Sequence, residues 1–159
     1  VEINKSGANQ VVVTSLRSKL LGNDVARLLA SYMQSDTMKI AVINFSSRAK
    51  QLNIDYERLS VGSFVVAEHA GDVSVLEPDG NIAAMELLGQ RGFWKSIQSL
   101  NSTFDLVFLS ADNGDAMSLL SALEGHKMFH ITLARTKKTK SANLIEMRSR
   151  LPIQGLLYD

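Results

Sequence analysis

The sequence predicts an α/β fold: a single domain with a mostly parallel β-sheet flanked by helices. Three observations predict it. The short β-branched run Val11, Val12 and Val13 reads as a strand covered on both faces. A loop follows it, and then a helical pattern carrying Val25, Leu28 and Leu29. Further down the chain, apolar runs of strand length alternate with helical stretches, and this alternation implies crossover units. With 159 residues the chain suits one domain, spanning 1–159, with one sizeable core.

Each element has its own signal. Residues 1–9 are a polar lead-in to the first strand. The first helix is expected to take its cap from Asn23 or Asp24. Residues 39–44 (KIAVIN) form a second buried strand, followed by a polar turn over 45–48. Between 51 and 72 the pattern weakens and reads as a loop with a short helix near 64–68. Residues 73–76 are a third strand, stopped by Pro78, Asp79 and Gly80. The segment 83–100 reads as helical, with Met85, Leu88, Phe93, Trp94, Ile97 and Leu100 on one side. Gly89 and Gly92 are placed to break it in two. Residues 106–109 (LVFL) are the fourth strand, and Asn113-Gly114-Asp115 turns the chain into a helix through Met117, Leu119, Leu120 and Leu123. Residues 128–133 (MFHITL) are the fifth. A basic stretch then leads into a helix over Leu144, Ile145 and Met147, which Pro152 ends, and 155–158 supply a last strand.

Composition narrows the function classes. A net charge of +1 creates no field that would steer nucleic acid, so no nucleic-acid partner is expected. The absence of cysteine excludes disulfides and thiolate metal sites. No apolar run within residues 1–159 reaches bilayer-spanning length, and no signal peptide is expected among them. The chain begins with Val rather than Met and is read as a fragment or a processed chain. Any membrane contact is expected only through missing parts of the parent.

Parallel sheets bind ligands beyond the carboxyl ends of their strands, so the positions after each strand are the candidates. The loop 16–24 follows the first. A phosphate-binding loop there would be glycine-rich and end in Gly-Lys-Ser/Thr, so that backbone N–H groups and an ammonium cradle the phosphates. This loop has one glycine and no lysine at its end. Glu124, His126 and His130 suggest a metal from the four-residue histidine spacing, but that spacing converges only on a helix. His130 falls in a strand, so a structural histidine and no metal site are expected. Arg135, Lys137, Lys138 and Lys140 follow the fifth strand on the same edge. Either a solvated loop or contact with a nucleotide, an acidic partner or an anionic membrane suits that cluster.

The order of elements resembles the cytoplasmic kinase domain of bacterial polysaccharide chain-length proteins. These are the bacterial tyrosine autokinases, a branch of the ParA/MinD-like P-loop ATPases, and the resemblance implies a P-loop NTPase-like fold. In that family the first strand ends in Thr-Ser and leads to Pro-Gly-x-Gly-Lys-Ser/Thr. Here Thr14-Ser15 is followed by Ser18, Lys19, Leu20, Leu21, Gly22 and Asn23. By the resemblance, Gly22 takes the lysine position and Asn23 that of the magnesium-binding hydroxyl. The family's second motif, Asp-x-Asp with Arg two residues on, reads Asn44, Phe45, Ser46, Ser47 and Arg48. The third, Asp-x-Pro-Pro, aligns with Ser110, Ala111, Asp112 and Asn113. The family commonly carries a tyrosine-rich tail; residues 1–159 end at Tyr158-Asp159 and do not include one.

Phosphoryl transfer depends on positioning phosphates and neutralising the charge on their oxygens. The resemblance therefore implies a degenerate, pseudokinase-like domain with no catalytic residue, no cofactor and no metal. It would act in assembly or regulation within a polysaccharide biosynthesis and export complex, with protein partners or copies of itself. It would lie in the cytoplasm at the inner face of the bacterial inner membrane. Ser15, Lys19, Gly22, Asn23, Asp24 and Arg135 are the vestigial nucleotide positions. The alternative is an ATP- and magnesium-dependent tyrosine autokinase, or a nucleotide switch, with an unusual phosphate loop using Ser15, Lys19, Asn23, Asp24, Asp112 and Arg135. A receiver-like or flavodoxin-like reading ranks last. Receiver domains cluster acids after the first and third strands, and Ser15 stands at the first of those places.

Overall fold

The computed structural model describes residues 9–35, 37–46, 60–61, 64–70, 73–78, 84–135 and 137–158. They form β1 (Gln10–Leu16), α1 (Gly22–Met33), β2 (Ile40–Asn44), β3 (Ser60–Val61), β4 (Phe64–Ala70), β5 (Val73–Pro78) and α2 (Ala84–Leu87). There follow α3 (Phe93–Ser99) with a 3-10 turn at Leu100–Ser102, β6 (Leu106–Asp112), α4 (Asn113–Leu123), β7 (Phe129–Ala134), α5 (Ser141–Arg150) and β8 (Gly155–Tyr158). The strands make one sheet in the order β3-β4-β5-β2-β6-β1-β7-β8. The six from β5 to β8 are parallel, and β4 and β3 extend the sheet antiparallel. This is the predicted α/β class, with a P-loop NTPase-like arrangement.

The parallel strands are apolar on both faces because helices cover both. Val11, Val13, Ile40, Val42 and Phe108 pack under α1. On the opposite face Val12, Ala41, Ile43, Val107 and Leu109 pack against Ile97, Leu119, Leu120, Leu123 and Met147. The apolar residues predicted for α1 need correcting. Its buried stripe is Gly22, Ala26 and Ala30, at four-residue spacing, while Val25 and Leu29 flank it half-buried and Leu28 is 63% exposed. Small residues let the helix axis approach the sheet closely, so the larger ones are displaced to the sides. In α5 likewise Met147 is buried and Ile145 exposed.

A second correction concerns residues 64–68, where a short helix was expected. They lie in β4, which pairs antiparallel with β5 and β3. Val65 and Val66 favour extended backbone. A register shift between Val66 and Glu68 interrupts the two-residue alternation by which a strand is recognised. Residues 51–59 lie outside the described ones. The predicted break in 83–100 is present: α2 ends at Leu87, and Gly92, at φ 90°, precedes α3. No helix among the described residues is long and apolar enough to cross a membrane.

Candidate functional site at the carboxyl ends of β1, β2 and β6

The chain leaves β1 toward β2, crossing over β6, and leaves β6 toward β7, crossing over β1. The two connections leave these neighbouring strands in opposite directions, so the switch point lies at β1 and β6, which is where open α/β sheets form their ligand crevice. The loop after β1 is folded onto itself at this point. Ser15 Oγ donates to the Leu20 carbonyl at 2.9 Å, and the Leu20 N–H donates to Ser18 Oγ at 3.0 Å. Arg17 adopts a left-handed φ of 51°, and its N–H donates to Asn113 Oδ1 at 3.0 Å.

The start of α1 departs from the sequence expectation. Leu21, an apolar residue, occupies the cap position, and Asn23 and Asp24 lie inside the first turn. The cap comes instead from another strand: the Gly22 N–H donates to Asp112 Oδ1 at 2.8 Å. Helix N-termini favour negative charge, which a carboxylate at the end of β6 supplies. Glycine is required at this contact. A Cβ on Gly22 would lie 2.9 Å from the Val13 carbonyl oxygen and 3.3 Å from Asp112 Oδ1.

The second carboxylate oxygen is also bonded. Ser46 Oγ donates to Asp112 Oδ2 at 3.1 Å and accepts from the Asp112 N–H at 3.0 Å. Asn44 Oδ1 accepts from the Ser46 N–H at 3.0 Å, and the Phe45 N–H donates to the Ser110 carbonyl at 2.7 Å. Ser110 Oγ is buried and faces the Ile43 carbonyl at 3.5 Å. The ends of β1, β2 and β6 and the start of α1 thus meet in a short polar network centred on Asp112. Asn23 Oδ1 is buried and has no hydrogen-bond partner among the described residues.

Gly22, Asn44, Ser46, Ser110 and Asp112 are therefore gathered in this network, with Asn23 one residue beyond it and Ser15 beside Asp112 in strand register, its hydroxyl on the Leu20 carbonyl. Lys19 and Asp24 are exposed at its rim. Arg135 lies across β1. The Arg135 N–H donates to Thr139 Oγ1 at 3.0 Å, and that hydroxyl donates to the Leu16 carbonyl at 2.8 Å. Arg48 lies outside the described residues. His126 and His130 do not converge: His126 stacks on Trp94 with ring centroids 4.0 Å apart, whereas His130 is buried against Thr14 and the Leu151 carbonyl. Among the described residues no three histidine or carboxylate side chains cluster as a metal site would require. Sequence reasoning missed Asp112 as the cap of α1, and Asn113 and Thr139 as loop anchors. An apolar residue before a helix was the available signal that its cap must come from elsewhere.

No family model matches the sequence, and no curated protein matches it. Solved structures do. The BceF tyrosine kinase domain matches at 13% identity and a TM-score of 0.61, over 98% of this chain and 70% of that one. The chimerical protein CapA2B2 matches at 12% identity and 0.62, over 99% and 78%. The VpsO kinase domain matches at 14% identity and 0.59, over 98% and 86%. At such identities the likeness is one of backbone, and what it establishes is that the chain has the P-loop NTPase-like fold of bacterial tyrosine-kinase domains.

Proposed function

We propose that this chain is a non-catalytic module of a polysaccharide export or polymerisation complex, acting by assembly or regulation at the cytoplasmic side of the membrane. One observation carries the reading: the N-terminus of α1 is capped by the chain's own carboxylate. In a phosphate loop those N–H groups receive a phosphate. Here Asp112 accepts from Gly22 and is itself held by Ser46. An arriving phosphate would have to displace that carboxylate or sit against a like charge. The groups at this edge do not fit ATP and magnesium.

Further support comes from Gly22. Its close approach to the Val13 carbonyl suits the last glycine of a phosphate loop, one place along from the register read in the sequence. Asn23 and Asp24 then stand in the places of the lysine and the hydroxyl. In either register no ammonium ends the loop, and Asp24 adds negative charge where phosphates would lie. The Ser46 N–H donates to Asn44 Oδ1 and the Ser46 hydroxyl to Asp112, so the end of β2 offers an amide and a hydroxyl and no carboxylate for magnesium. Titration calorimetry with ATP and magnesium tests the proposal. No binding heat beyond a weak background is expected, and sub-micromolar affinity would overturn it. Sedimentation should give the same association state with and without nucleotide.

A further inference from the structure

We infer that the loops following β1 and β7 form a contact surface for anionic phospholipid. Leu16 and Ala134 are partners in adjacent parallel strands, so Arg17 and Arg135 leave the sheet side by side. The Thr139 hydroxyl, donating to the Leu16 carbonyl at 2.8 Å, holds the second loop against the first. The second loop presents Lys137 and Lys138, both exposed, with Lys137 at a left-handed φ of 63°. The first presents exposed Arg17 and Lys19 and is held by Asn113 and by the Ser15 hydroxyl. Both loops are therefore fixed scaffolds for positive charge.

The first loop also carries two apolar side chains that face solvent: Leu20 is 50% exposed and Leu21 51%. Half-exposed leucines on a loop with Arg17 and Lys19, held beside a second basic loop, have the composition of an interfacial anchor. The cations gain from lipid phosphates, and the leucines leave water at the headgroup boundary. Asp24 and Asp115, in the first turns of the adjoining helices, are fewer than the cations, and both Asp112 oxygens accept bonds from Gly22 and Ser46. Since the whole chain carries only +1, this concentration leaves the remainder net acidic, which would orient the charged edge toward an anionic surface. An acidic polypeptide would meet the same cations but has no use for the two leucines. The inference does not rest on the reading of the nucleotide site.

Vesicle flotation of the purified chain tests it, with phosphatidylcholine vesicles containing or lacking phosphatidylglycerol. The chain should float with the anionic vesicles at low salt and not with phosphatidylcholine alone. Lys137→Glu with Lys138→Glu should lower partitioning by roughly tenfold or more. Leu20→Ser with Leu21→Ser should lower it by roughly fivefold and abolish the part that survives high salt. Lys39→Glu alters an exposed lysine before β2, at the opposite end of the sheet, and should leave flotation unchanged. Absence of flotation with anionic vesicles would overturn the inference, as would equal losses from Lys39→Glu and Lys138→Glu. Retention on polyglutamate without flotation would also overturn it and assign the surface to an acidic polypeptide.

Discussion

Asp112 joins three elements through one carboxylate, bonding the first turn of α1 and the residue that follows β2 from the end of β6. Replacing Asp112 with alanine removes a charged cap and leaves the Gly22 N–H without its acceptor. We expect a loss of about 2 kcal/mol, read as a lower denaturation midpoint at unchanged slope. Asp112→Asn keeps an acceptor oxygen and should lose about half as much. The other informative residue is His130, fully buried in the sheet. Nδ1 faces the Leu151 carbonyl at 3.3 Å, and a carbonyl only accepts, so Nδ1 carries the proton. Nε2 is then the acceptor for the Thr14 hydroxyl at 2.8 Å. Burial lowers the imidazole pKa from 6.5 to about 4. Between those values the unfolded chain binds a proton that the folded chain does not. Stability should therefore be full above pH 6.5 and fall as the pH drops from 6.5 to 4, by up to about 3 kcal/mol. Denaturation midpoints across that range check this, and His130→Gln should remove that part of the slope.

At the scale of elements, α1 shows how the sheet selects residues. Its buried stripe of Gly22, Ala26 and Ala30 lies against β1, β2 and β6, while Leu28 faces solvent. On helix propensity alone, Gly22→Ala should stabilise by about 1 kcal/mol. The 2.9 Å approach to the Val13 carbonyl reverses the sign. We expect a net loss of about 1–3 kcal/mol from the forced shift of the helix start. Leu28→Ala, by contrast, should change stability by less than about 0.5 kcal/mol. Thermal unfolding of the two variants distinguishes this packing from one in which Leu28 lies in the core. The periodicity of α1 identified a helix and misassigned its face, because small residues carry little hydrophobic signal. In β4 the shift between Val66 and Glu68 broke the alternation, so a strand was read as a loop with a short helix.

Across the whole molecule, β1 and β6 are paired on both sides at the centre of the sheet, whereas among the described residues β8 pairs with β7 alone. Opening the centre requires most of the fold to come apart. Amides of Val12, Val13, Phe108 and Leu109 should exchange slowest with solvent and those of β8 much faster. Comparable rates for β8 and β1 would contradict this topology. The parallel strands were legible because helices on both faces demand continuous apolar runs, which a linear reading detects easily. The candidate edge was legible too, since strand ends locate it wherever the alternation is clear.

The class of fold, the parallel strands and the absence of a lysine ending the first loop can all be read along the linear chain. These depend on residue type and on spacing along the chain. Which face of α1 is buried, that Asp112 rather than Asn23 or Asp24 caps it, and that Arg17 and Arg135 stand side by side emerge from the folded arrangement. Each of those depends on residues far apart in sequence meeting at strand ends. Register across the sheet sets such meetings, and local pattern carries no record of it.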